Sequence, residues 1–175
     1  MANQSHNGGV EMGEDDDIDV VQLVRQQHDR VRELFIRVDD GELRLVHDLL
    51  DDIAMHLEVE EAVLYPALVD TPLGPQIRIA AEEHLSVKRI ISDLVESDPR
   101  DKRFAARITV LRRQVEEHME DEETEVLPEL ERELDYDRRL AMAKDMRDFM
   151  RALVEHGSEG PLEAVLTDAA SPAGL

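Results

Sequence analysis

The sequence predicts an all-α protein, an up-down-up-down four-helix bundle with an additional C-terminal helix. Apolar residues recur in steps of three and four through most of the 175 residues. The apolar content comes from Leu, Val, Ile, Ala and Met, while aromatic residues make up only 3% and Trp is absent, a composition easiest to pack between helices. Gly and Pro are few and cluster where the periodicity breaks.

A first helix is expected over about 18–38, with Val21, Val24, Val31 and Phe35 in one stripe and His28 in phase with them. Asp39-Asp40-Gly41 ends it. The second is expected over about 42–68, with Val46, Leu49, Ile53, His56, Glu60 and Leu64 in its stripe, and stops at Thr71-Pro72-Leu73-Gly74-Pro75. The third, about 76–96, aligns Ile77, Ala80, His84, Val87, Ile91 and Leu94. Ser97-Asp98-Pro99 reads as a cap followed by proline in a first turn, so the fourth helix is expected from about 99 to 134. Its stripe is Phe104, Ile108, Leu111, Val115, His118, Glu122 and Val126. A fifth helix over about 137–156 carries Leu140, Met146, Phe149, Met150 and Leu153 and is expected to pack outside the bundle or to contact a partner. The resulting organisation is a disordered acidic tail (1–17), the bundle (18–134), an extra helix (135–156) and a flexible tail (157–175) with at most a short helix around 162–166.

Asp and Glu number 42 against 20 Lys and Arg, a formal net charge of -22. Such a surface repels nucleic acid and anionic membrane and attracts cations, so neither nucleic acid nor a membrane is an expected partner. The absence of Cys excludes disulfides, iron–sulfur clusters and thiolate zinc sites. No apolar run approaches the ~20 residues needed to span a bilayer. Residues 1–19 lack the basic start and apolar core of a secretory signal, so a cytoplasmic location is expected.

The second and fourth helices repeat one motif. His56-Leu-Glu-Val-Glu60-Glu61, followed by Leu64, Pro66 and Leu68, matches His118-Met-Glu-Asp-Glu122-Glu123, followed by Val126, Pro128 and Leu130, at a constant offset of 62 residues. Each copy follows a helix with one His in its apolar stripe, His28 before the first and His84 before the second. A doubled hairpin explains the repeated Leu and Val. It does not explain His and Glu inside the seam.

Residues four apart share a helix face, so His56 and Glu60 can reach one point, as can His118 and Glu122. Burying such groups without partners costs a few kcal/mol or more each. Six of them in the seams of four helices must satisfy one another or share cations. A pair of divalent metals suits them, because imidazole binds through one nitrogen and a carboxylate can bridge. The other imidazole nitrogen then needs an acceptor, which the sequence does not name. His47 lies about half a turn out of phase with His56, and His6 and His156 fall in the tail and at a helix end, so none joins the set. Glu61 and Glu123 follow the motif glutamates by one position and are out of phase as well. Pro66 and Pro128 should kink or end their helices.

These residues resemble the hemerythrin-like, HHE cation-binding family. The resemblance rests on His28-Asp29, on HLEVEEAVLYPAL from His56, on EEHL around His84 and on HMEDEETEVLP from His118, and it covers about 18–132. It implies a hemerythrin-like bundle with two oxo- or hydroxo-bridged non-haem iron ions. His28, His56, His84 and His118 would be ligands and Glu60 and Glu122 bridges. It also implies binding of or reaction with dioxygen, hydrogen peroxide or nitric oxide, in oxidative or nitrosative stress defence. Oxygen-carrying members have a second His one turn after the third-helix His, where this chain has Lys88, and His-x-x-x-x-Asp where it has His118-x-x-x-Glu122. Four His leave a coordination position open, which favours ligand activation over reversible carriage. Lys88 could sit near the site as a charge or proton donor, but the simpler expectation is that it points to solvent. Ferritin-like di-iron proteins share the architecture but use Glu-rich sites with Glu-x-x-His. Zinc or manganese would also accept His with carboxylate. Three functional readings follow: an enzyme consuming peroxide or nitric oxide, an iron or oxygen sensor, and an iron store or structural metal site. In the sensor, the fifth helix would be the output, contacting a protein partner or a second copy.

Overall fold

The computed structural model describes residues 17–156 and 160–170. The expected acidic tail, with His6, falls almost wholly outside the described residues. Four helical limbs run up, down, up and down. The first is α1 (Val20–Asp39). The second is α2 (Val46–Val59), a π-helical turn π1 (Glu60–Leu64) and α3 (Tyr65–Leu68), run together. The third is α4 (Gly74–Val95). The fourth repeats the second, as α5 (Lys102–Asp121), π2 (Glu122–Val126) and α6 (Leu127–Glu133). Two further helices, α7 (Tyr136–His156) and α8 (Gly160–Ala170), pack against the bundle. No helix among the described residues is long and apolar enough to cross a membrane.

Local chemistry sets the limits of the limbs. Asp19 caps α1 through a reciprocal pair of hydrogen bonds with Gln22. Gly41, at φ +97°, supplies the left-handed turn after α1. A 3-10 turn at Leu43–Leu45 delays α2 to Val46. The fourth limb starts at Lys102 rather than near Pro99. Asp101 is its cap, accepting from the Arg103 amide, while the Ser97 hydroxyl bonds Asp93 O and so closes α4.

Every apolar residue of the four expected stripes is buried. They form two clusters. One, around Phe35, Leu49, Ile53, Ile91 and Leu111, fills the end near the α1–α2 turn. The other, around Val24, Tyr65, Ile77 and Leu130, fills the opposite end. The stripe His and Glu residues lie between the two, so the polar layer divides the core.

The C-terminal helices belong to this core. α7 packs on α1, α2 and π1, burying Ala143 and Met146. Arg139 ties it to Asp19 at 2.8 Å. α8 extends well beyond the short helix expected at 162–166. It lies on α2 and α4 and buries Leu162 and Val165, so the apolar Leu-x-x-Val spacing anchors a segment expected to be mostly flexible.

The α3–α4 turn is tightly packed. A Cβ on Gly74 would lie 2.2 Å from Val69 O, a backbone atom that cannot swing aside. Gly74→Ala should therefore destabilise the fold by about 1–3 kcal/mol. A denaturation midpoint within error of wild type would show that this turn relaxes freely.

Candidate metal centre

The six stripe residues meet on the bundle axis. His28 comes from α1, His84 from α4, His56 and Glu60 from the α2–π1 junction, and His118 and Glu122 from α5–π2. None is more than 2% exposed. All four imidazoles turn Nε2 inward. Glu60 Oε2 lies 3.5 Å from both His56 Nε2 and His84 Nε2. Glu122 Oε2 lies 3.2 Å from His28 Nε2 and 3.5 Å from His118 Nε2. His84 Nε2 and His118 Nε2 are 3.0 Å apart. The donor atoms fall into two groups, His28, His56, Glu60 and Glu122, and Glu60, His84 and His118, each within 4.8 Å of one another. Glu60 is common to both.

These atoms fit cations better than they fit each other. Nε2 of His28 and His56, Oε1 of Glu60 and both oxygens of Glu122 are buried without a hydrogen bond. Buried polar atoms are nearly always satisfied, and a bound cation would satisfy these.

The four Nδ1 atoms face outward, and each meets an acceptor from another helical segment. His28 Nδ1 contacts Glu123 at 2.7 Å, His84 Nδ1 contacts Glu61 at 3.0 Å and His118 Nδ1 contacts Glu83 at 3.0 Å. His56 Nδ1 has the Gln27 amide oxygen at 3.4 Å. Such partners fix which nitrogen carries the proton and leave Nε2 free to bind.

A family model, the hemerythrin HHE cation binding domain, matches residues 19–130. The chain belongs to this family. Comparisons with curated proteins and with solved structures gave no match. The six residues that the fold brings to one layer all lie within the matched span of this HHE domain.

Three features were missed in the sequence. Lys88, expected in solvent, is fully buried. Its ammonium lies 3.0 Å from Glu58 and 2.8 Å from Glu61, and this pairing is what permits its burial. Glu61 and Glu123, set aside as out of phase, are the acceptors for His84 and His28. Their carboxylates reach sideways across a seam to the next helix. Helical periodicity does not place Tyr65 in the layer. Its hydroxyl lies 2.8 Å from His84 Nε2 and 3.4 Å from Glu60 Oε2. In a regular α-helix a residue five positions on sits well around from its starting face, but the π turn closes Tyr65 N onto Glu60 O and stacks the two. Pro66 was the available signal. It lacks the N–H that would continue an α-helical ladder, and Pro128 stands at the same place after π2. His47, as expected, stands apart, exposed and 3.0 Å from Asp51.

Burial is the main influence on the metal-free layer. It lowers His56 well below the ordinary imidazole value, helped by the neighbouring His28, and lowers His84 to about 4. Burial acts the same way on His118, but Glu122 and Glu83 outweigh it and raise that group. Burial and the nearby Glu122 raise Glu60 well above the carboxylate range. Burial opposes the charge on Glu122, yet His118 and His28 hold it low. The pair therefore keeps a proton that a cation would displace.

Two outcomes are expected. His84 has a folded value near 4 against about 6.5 unfolded, so the stability it contributes is present above pH 6.5 and is lost as pH falls towards 4. With chelator present, the stability difference between wild type and His84→Gln should shrink by up to about 3 kcal/mol from pH 7 to pH 4. A constant difference would mean that His84 titrates normally in the folded protein. Secondly, Glu83→Ala should weaken cation binding about 10- to 100-fold, and Glu83→Gln should recover part of the loss because an amide oxygen still accepts from His118. Equal affinities of both variants and wild type, by competition with a chromophoric chelator, would exclude a supporting role for Glu83.

Proposed function

We propose that this HHE domain holds two iron ions, His28 and His56 serving one and His84 and His118 the other, with Glu60 and Glu122 shared. The observation that supports this best is the overlap of two donor groups at Glu60, with unpartnered donor atoms turned to the bundle axis. Those unpartnered atoms all lie in the His28, His56, Glu60 and Glu122 group, and a second ion would take the His84 and His118 nitrogens, which otherwise face each other at 3.0 Å. The His-rich, Cys-free donor set suits iron, which imidazole and carboxylate bind in either common oxidation state.

Bound there, iron supplies redox chemistry towards dioxygen, peroxide or nitric oxide, and we assign the protein to defence against oxidative or nitrosative stress. The chain's own contribution is positioning and exclusion. The apolar clusters above and below shield the layer from bulk water. His56 and His84 are held neutral and ready to bind. Lys88 keeps Glu61 ionised against His84 and supplies no ligand atom itself. Four imidazoles leave room for an exogenous ligand, and the Tyr65 hydroxyl, beside His84 and Glu60, is placed to donate a hydrogen bond to it.

Elemental analysis of aerobically purified protein should give about two irons per chain, with visible absorption that disappears in a His56→Ala, His118→Ala double variant. The loaded protein should consume peroxide or nitric oxide faster than the same concentration of free iron. Zinc in the purified protein, failure to take up iron on reconstitution, or no rate above free iron would overturn this reading.

A further inference from the structure

The bundle has four lateral seams, each crossed in the ligand layer by one imidazole–acceptor contact, and three of them are also covered by a helix or joined by further ion pairs. α7 lies over the first two limbs and packs on π1. Lys88 joins α4 to the second limb through Glu58 and Glu61, and α8 covers the same seam further along. Arg32 and Arg112 join α1 to the fourth limb through Glu123 and Asp39.

The seam between α4 and the fourth limb is different. It holds a cavity of about 240 Å³ whose inner end is His118 and Glu122, both buried, and whose mouth carries Glu83, Asp121 and Glu125. A groove of about 600 Å³ adjoins it along the same seam, the two sharing Ile79 and Glu83. Acidic residues at a mouth would mean little alone on so acidic a protein. Here they lead to a carboxylate, 2% exposed, whose two oxygens both lack hydrogen bonds. Gln76, on the cavity wall, also presents an unpartnered side-chain oxygen. Glu83 is engaged by His118 Nδ1 at 3.0 Å, while the Glu122 oxygens and the Gln76 oxygen are acceptors without donors, an arrangement that attracts cations.

We infer that this cavity is the route by which a hydrated divalent cation reaches the ligand layer, captured at Asp121 and Glu125 and passed to Glu122. The inference rests on the metal-binding reading above. Carboxylates around a cleft focus the field and raise the local cation concentration. Oxygen ligands along the path can replace the cation's water in steps. Dioxygen and nitric oxide are neutral and gain nothing from the acidic mouth, so its charge specifies a cation.

The test is stopped-flow loading of cobalt(II) into chelator-stripped protein, followed by the visible bands of the bound ion. Wild type should load more slowly as salt rises, because screening removes the steering. An Asp121→Asn, Glu125→Gln variant should load about tenfold more slowly at low salt, with a flatter salt dependence and the same final amplitude. Ile79→Trp narrows the mouth without changing its charge and should slow loading at every salt concentration. An Asp137→Asn, Asp145→Asn variant removes two charges from α7 and should load like wild type. Unchanged rates in both mouth variants, or equal slowing in the α7 variant, would overturn the route while leaving the metal site intact. No cobalt uptake by wild type at all would overturn the metal reading together with the route.

Discussion

The controlling constraint on this molecule is the burial of four histidines and two glutamates on the axis of an otherwise apolar bundle. An unsatisfied buried polar group costs about 1–3 kcal/mol. Four residues of the layer carry unpartnered atoms, so the total is comparable with the 5–15 kcal/mol net stability of an ordinary domain. No arrangement of the six alone removes that cost. Apart from the proton that the Glu60–Glu122 pair keeps, the imidazole nitrogens and carboxylate oxygens that face the axis are acceptors once the Nδ1 atoms hold the ring protons. Cation binding and folding are therefore coupled, and the two apolar clusters flanking the layer must supply the stability of the metal-free chain.

The same constraint organises the contacts around the layer. Each imidazole needs an acceptor at Nδ1, and each acceptor comes from a different limb. His56 of α2 meets Gln27 of α1, and His84 of α4 meets Glu61 of π1. His118 of α5 meets Glu83 of α4, and His28 of α1 meets Glu123 of π2. One such contact crosses every seam. Orienting the ligands and fixing the register of the four limbs are thus one set of interactions. A slip of one residue in any limb would break both.

The bundle and the six inner residues were legible in the sequence because both depend on helical periodicity, and periodicity survives into the structure unchanged. Val24, His28, Val31 and Phe35 share a face whether or not anything packs against them. The outer partners were not legible, because they depend on reach and on broken periodicity. Glu61 serves His84, 23 positions away, by extending sideways across a seam. Lys88 could be recognised as buried only once Glu58 and Glu61 were known to flank it. Tyr65 joins the layer only because π1 inserts a wider turn, and no stripe drawn at 3.6 residues per turn contains it. The α8 segment was underestimated for another reason. Its two buried apolar residues are too few to make a clear period without the groove between α2 and α4 that receives them.

The two halves of the layer are repeats in their inner residues and differ in their outer ones. Tyr65 in the first copy stands where Leu127 stands in the second, and Lys88, buried, corresponds to Arg32, partly exposed. The consequence is clearest at His56 and His118, which occupy equivalent positions and are both nearly sealed from solvent. Burial lowers both, yet His56 remains depressed while His118 is raised. The partners account for part of the difference. His118 has an ionisable carboxylate, Glu83, at 3.0 Å, whereas His56 has a neutral amide, Gln27, at 3.4 Å, itself held by Met150 of α7. A carboxylate on Nδ1 makes an imidazole a stronger donor at Nε2. The repeat thus keeps the geometry of the inner His and Glu residues, while the residues one layer out make its two halves chemically unequal. The His84–His118 half has a carboxylate on both imidazoles and the tyrosine hydroxyl beside them, whereas in the other half only His28 has one, Glu123 at 2.7 Å. The cavity between α4 and α5 reaches His118 and, with it, Glu122 of the other half.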